Sequence, residues 1–107
     1  IGDRGEQAAA DWLTTDGHEI IARNWRTRYC EIDIVSMKDD VLYFTEVKYR
    51  KNSRYGDGLA AITNKKQRQM RFAAELFMIK HPQHEGRDMR MLAIAVDRDY
   101  NAECLVV

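Results

Sequence analysis

Two hydrophobic periods alternate along the chain. Over residues 3–15, Ala8, Ala9, Trp12 and Leu13 recur at helical spacing, and Asp16-Gly17 supplies a stop. Residues 18–27, with Ile20, Ile21 and Trp25, read as a strand, and residues 30–37 alternate as a second. Asp39-Asp40 marks a tight turn into residues 41–50, which are rich in β-formers. Residues 51–58 read as a loop. A second helix is expected from Leu59 to Lys80, with Ile62, Met70, Ala73 and Phe77 on one stripe, widened by Phe72, Leu76 and Ile79, and stopped by Pro82. Residues 89–96 form an apolar, central strand, and 102–107 a last one. The order α-β-β-β-α-β-β predicts an α/β fold, a hairpin-rich mixed sheet with a helix on each side.

The hairpin around Asp39-Asp40 carries the candidate chemistry. A symmetric two-residue turn pairs Lys38 with Val41, which sets Asp33 opposite Glu46 and Glu31 opposite Lys48, all four on one sheet face. Opposed β-carbons lie about 4.5–5.5 Å apart, and like charges so placed destabilise a sheet. A divalent cation between Asp33 and Glu46 removes that penalty, and hard carboxylate oxygens suit Mg²⁺ or Mn²⁺. The Val47 carbonyl is a further candidate ligand. Lys48, on the face of Glu46, is placed to hold an attacking water or to stabilise negative charge at a reacting phosphate. The competing reading is a solvent-facing lattice of cross-strand ion pairs, which Glu31 and Lys48 fit well. Leu42 and Phe44 fit it poorly, because they share the face of Glu46 and make it apolar at one end. Glu6 continues the partly apolar row of the first helix, which leaves two readings: a carboxylate pointing into the same site and, favoured by local pattern, a helix-start acid stabilised by the helix dipole.

Charge sharpens this picture. The 107 residues include 17 basic and 17 acidic ones, so a globally basic nucleic-acid binder is excluded. From Glu46 to Arg71, however, eight basic residues stand against two acidic ones, a net of +6, leaving −6 for the remainder. From charge alone this is either a face for a polyanion or a solvated helix face and loop. Lys65, Arg68 and Arg71 fall on one helical row with Lys66 beside them, and Arg50, Lys51 and Arg54 follow Lys48. Together they are candidates for gripping phosphates, which carry no sequence information. Tyr49 and Tyr55 are candidates for stacking on unpaired bases, although alternation also lets Tyr49 pack on the opposite sheet face.

An apolar content of 45% suits one folded domain over 1–107, and the chain stops inside an apolar run, as a trimmed piece would. No apolar stretch is long enough to span a membrane, and no secretory pattern opens the chain. Cys30 and Cys104 form no CxxC pair, which suggests a reducing, cytoplasmic setting and no zinc site; His81 and His84 read as a polar helix end.

The runs Glu31-Ile32-Asp33-Ile34-Val35 and Phe44-Thr45-Glu46-Val47-Lys48-Tyr49-Arg50 resemble the PD-(D/E)xK nuclease signature. Gly5-Glu6-Gln7-Ala8-Ala9, Trp12-Leu13, the run from Gly17 to Arg26, and Ala61-Ile62 with Lys65 and Arg68 extend the resemblance to the YraN-type family, similar to archaeal Holliday junction resolvases. The chain departs from that pattern in having Cys30 where the family usually has Gly, and Ile32 rather than Pro before Asp33. The resemblance implies a restriction-endonuclease-like fold with Glu6, Asp33, Glu46 and Lys48 as active-site positions. The reading so reached is a Mg²⁺- or Mn²⁺-dependent endonuclease acting on DNA, branched or single-stranded, with a homodimer needed for two-stranded cutting. The alternatives are a non-catalytic nucleic-acid-binding module of the same fold and an interaction domain without a nucleic-acid role.

Overall fold

A computed structural model of the chain describes residues 3–50 and 62–107. Helix α1 (Asp3–Thr15) is followed by strands β1 (Glu19–Arg26), β2 (Glu31–Lys38) and β3 (Val41–Tyr49), helix α2 (Asn64–Lys80), and strands β4 (Met89–Val96) and β5 (Ala102–Val106). The five strands form one sheet in the order β1-β2-β3-β4-β5. Among the described residues only β3 and β4 pair in parallel, as strands joined through a crossover helix do. The element order is the one read from hydrophobic periodicity, and β4 lies inside the sheet as its apolar run implies.

Local sequence accounts for the boundaries. Gly17, at φ 97°, ends α1 in a Schellman-type close, with the His18 amide donating to the Leu13 carbonyl and the Gly17 amide to that of Thr14. Asp39 and Asp40 both take positive φ (51° and 69°), the requirement of a type I′ hairpin turn, and Lys38 pairs with Val41 as that turn dictates. Thr63 caps α2 by accepting from the Lys66 amide. The cap sets the start of α2 at Asn64, so Ile62 precedes the helix instead of joining its stripe. Leu59, Ala60 and Ala61 lie outside the described residues. At the far end His81 stacks on Phe77 with ring centroids 3.8 Å apart, and its Nδ1 lies 2.7 Å from the Phe77 carbonyl. His81 thus works as a helix end.

Each sheet face buries one core. Ala9, Ala10 and Leu13 of α1 pack with Ile34, Val47, Leu92, Ile94 and Val96. Ala73, Ala74 and Phe77 of α2 pack with Ile32, Val35, Leu42 and Phe44. The α2 stripe is therefore narrower than expected: Phe72 is 51% exposed and Ile79 75% exposed. Among the described residues, no helix is long and apolar enough to cross a membrane.

The feature that positions the site is a split in the sheet. The β2–β3 pairing runs from Lys38↔Val41 to Ile34↔Thr45 and ends there. Beyond that point β2 stays with β1 as far as Arg26↔Glu31, while β3 stays with β4 as far as Tyr49↔Val96. The two middle strands diverge around Asp33, and side-chain alternation breaks beside it. Ile34 packs on the α1 side, whereas Ile32, two residues away, packs on the α2 side. On β1, Asn24 takes φ 52° at the same level.

Candidate active site at the sheet split

Asp33 sits where the strands part. Its Oδ2 accepts the Val47 amide at 2.8 Å, taking a donor that a continued ladder would have given to a backbone carbonyl. The direct opposition of Asp33 and Glu46 expected from register is thus replaced. Asp33 reaches sideways into the gap toward β3, and Ile34↔Thr45 is the last ladder pair. In an extended strand the N–H and C=O of one residue point to the same edge, so the Val47 carbonyl also faces this gap.

Glu46 and Lys48 meet on the α2 side, with Lys48 Nζ 3.3 Å from Glu46 Oε1. The same oxygen lies 3.4 Å from Lys66 Nζ of α2. In the sequence Lys66 stands only as a neighbour of the Lys65–Arg68–Arg71 row. The signal that could have found it is its place in the first turn of α2, the end of the helix that reaches Glu46 of β3. Glu6 comes from α1. It is buried and accepts from Asn24 Nδ2 at 2.7 Å, with Arg23 at 3.5 Å. Asn24 escaped the sequence reading, and its left-handed backbone is what brings its amide to Glu6. Glu31 pairs with Arg26 at 3.4 Å instead of facing Lys48.

These acids act on one another. Burial, then the charges of Glu46, Glu6 and Glu31, push the Asp33 carboxyl up to about 6, against the opposing pull of the Val47 amide. An acid raised in the folded state costs stability as pH climbs from its unfolded value toward the folded one, here from about 4 to about 6. Asp33→Asn keeps an acceptor for the Val47 amide and removes the charge. In metal-free buffer the variant should match the native protein at pH 4 and exceed its stability at pH 8 by ~1–2 kcal/mol, the full shift being discounted for partial exposure. Urea melts at the two pH values check this, and divergence at pH 4 instead of pH 8 would contradict it.

The basic positions do not all converge, and Arg71 leaves its expected row to line a separate depression with Glu75 and Arg90. Lys65 and Arg68 are exposed and, with Lys66, line a cleft of about 570 Å³ that reaches Glu46. Arg50 departs from its expected role as a phosphate contact. It is buried, paired with Glu103 and 4.0 Å from Asp97, because β3 extends beside β4 and turns this side chain inward against the β4–β5 connection. Lys51, Arg54 and Tyr55 lie outside the described residues. Among the described residues, no group of three or more His, Cys, Asp and Glu side chains gathers closely enough to hold a metal by itself. What the split offers is two carboxylates and a carbonyl.

Comparison with known sequences places the chain among relatives. The pattern of the Uncharacterised protein family UPF0102 matches residues 5–96. The chain belongs to UPF0102. Its similar members include a UPF0102 protein of Alcanivorax borkumensis, 39% identical over 92% of this chain and 78% of the relative. Another, from Symbiobacterium thermophilum, is 46% identical over 75% of this chain and 68% of the relative. A third, from Leptospira interrogans, is 38% identical over 90% and 83% respectively. The match to UPF0102 begins at Gly5 and ends at Val96, so it encloses Glu6, Asp33, Glu46 and Lys48.

Proposed function

We propose that this UPF0102 chain is a metal-dependent endonuclease that hydrolyses DNA phosphodiester bonds on a restriction-endonuclease-like fold. The observation that supports this reading is the sheet split, where Asp33 accepts the Val47 amide and feels the charge of Glu46, which pairs with Lys48 and lines a basic cleft. The donor set fits Mg²⁺ or Mn²⁺: the oxygens are hard, and Mg²⁺ commonly takes one or two carboxylates with substrate phosphate and water completing its shell. Asp33, Glu46 and the Val47 carbonyl would hold the ion. When bound, such an ion polarises a phosphoryl oxygen and acidifies a water.

The chain's own groups do the rest. Lys48 is positioned to orient the attacking water or to stabilise charge building on the phosphate. Glu6, fixed by Asn24, sets a further negative charge near enough to Asp33 to act on it. Lys65, Lys66 and Arg68 draw the polyanion toward Glu46 and fix its backbone. Cutting both strands of a branched substrate would take a homodimer.

One observation favours a second reading. Glu46 is already neutralised by two ammonium groups, Lys48 and Lys66, as suits a nucleic-acid-binding module without catalysis. The deciding assay incubates the purified protein with Mg²⁺ or Mn²⁺ and a panel of four-way, flapped, single-stranded and duplex DNA. Metal-dependent cleavage of branched or single-stranded members, lost in Lys48→Ala, is expected. Salt-sensitive binding of DNA without cleavage under either metal selects the module instead.

A further inference from the structure

The cleft at Glu46 is more than a basic groove. Besides Lys65, Lys66 and Arg68, it is lined by Tyr29 and Phe72, which are 71% and 51% exposed. Single exposed apolar residues are ordinary on protein surfaces. Two aromatics from separate elements lining one cleft, interleaved with three cations and ending at a catalytic carboxylate, are a different matter. Cations that follow a backbone beside rings that receive bases are the pattern of single-strand recognition. The volume, about 570 Å³, has the scale of a site for a few nucleotide groups.

We propose that this cleft binds an unpaired segment of a DNA strand, with Tyr29 and Phe72 stacking on its bases and Lys65, Lys66 and Arg68 holding its phosphates. The inference rests on the nuclease reading for its link to Glu46, and it narrows the substrate to DNA that presents a single-stranded stretch.

The local structure supports Tyr29 as a stacking platform. It lies in the tight β1–β2 connection, where Thr27 Oγ1 accepts the Tyr29 amide at 3.1 Å and the Cys30 amide at 3.3 Å. The turn thus holds the ring outward without relying on a packed side chain. The Arg28 guanidinium stands 5.4 Å from the ring centroid, and the ring still keeps most of its exposure. Phe72 projects from α2 on the cleft side, two turns beyond Lys65 in the same helix. Among the described residues, the other half-exposed tyrosines, Tyr49 and Tyr100, do not line this cleft. Of the two stacking candidates in the sequence, Tyr49 lies off this cleft, as its alternative place on the opposite sheet face allows, and Tyr55 lies outside the described residues.

The test measures binding without cleavage, in EDTA, by fluorescence anisotropy of a labelled oligothymidylate and of a labelled hairpin duplex. Tyr29→Ala and Phe72→Ala should each weaken single-strand binding roughly tenfold and leave duplex binding unchanged. Tyr29→Trp should restore single-strand affinity. Both sites are exposed, so thermal melts should stay at the native value and keep folding apart from binding. Equal affinity losses for the two DNAs, or none, overturn the proposal. So does a change in sedimentation on Phe72→Ala with single-strand affinity intact, which assigns Phe72, Leu76 and Ile79 to contact with a second copy. A native protein that binds neither DNA at low salt overturns the nucleic-acid reading itself, an outcome distinct from failure of the stacking residues alone.

Discussion

Glu46→Gln is expected to reduce metal-dependent DNA cleavage by about 10³-fold or more while the protein stays folded. A metal ligand and its charge contribute several kcal/mol to stabilising the reacting phosphate, and ~4 kcal/mol corresponds to three orders of magnitude in rate. Glutamine keeps the volume of Glu46 but not its negative charge. The fold has little to lose, because the pairs with Lys48 and Lys66 are partly exposed and contribute under about 1 kcal/mol each. Removing the charge also relieves repulsion on Asp33. Cleavage rates measured beside thermal melts separate the two effects. A Glu46→Gln protein cutting within tenfold of the native rate would contradict the assignment.

Phe77→Ala is expected to destabilise the protein by ~3–5 kcal/mol, the usual cost of emptying an aromatic core site. Phe77 is fully buried and is the hub of the α2 core. It meets Trp25 edge-on at 5.2 Å, Phe44 at 5.6 Å, and His81 in a stack at 3.8 Å. Denaturation should show a melting temperature lower by roughly 15 °C or more. A drop under about 5 °C would mean that α2 docks by other contacts. The consequence reaches the site, since α2 carries Lys65, Lys66 and Arg68, and loosening its anchor blurs the cleft before the whole fold is lost.

Much of the architecture was legible because each element carried its own signal. The α1 stripe, the double aspartate turn and the apolar run of β4 each specify structure over a short span. The hairpin register from Lys38↔Val41 to Ile34↔Thr45 follows from that turn. Legibility stopped where regular geometry stopped. Alternation predicts a ladder pair at Asp33 and Glu46, but the side chain of Asp33 competes for the Val47 amide and ends the ladder. Periodicity cannot register such a switch, because it assumes the regular strand that the aspartate interrupts. Arg50 failed for another reason. A basic residue after Lys48 looks like part of a basic run, and only the folded β4–β5 hairpin brings Asp97 of its connection and Glu103 of β5 to it. Phe72 and Ile79 look like core in the sequence because helix patterns weigh apolarity and not the width of the surface available to cover it. Glu6 was ambiguous by local pattern, and Asn24, far away in sequence, supplies the contact that places it.

The central claim, that the sheet split is a divalent-cation site, is tested most directly by soaking crystals in Mn²⁺ and measuring anomalous scattering. The account predicts one peak between the Asp33 and Glu46 carboxylates and beside the Val47 carbonyl, with Lys66 withdrawn from Glu46. Anomalous maps empty at that position at saturating Mn²⁺, with Lys48 and Lys66 still on Glu46, would contradict it.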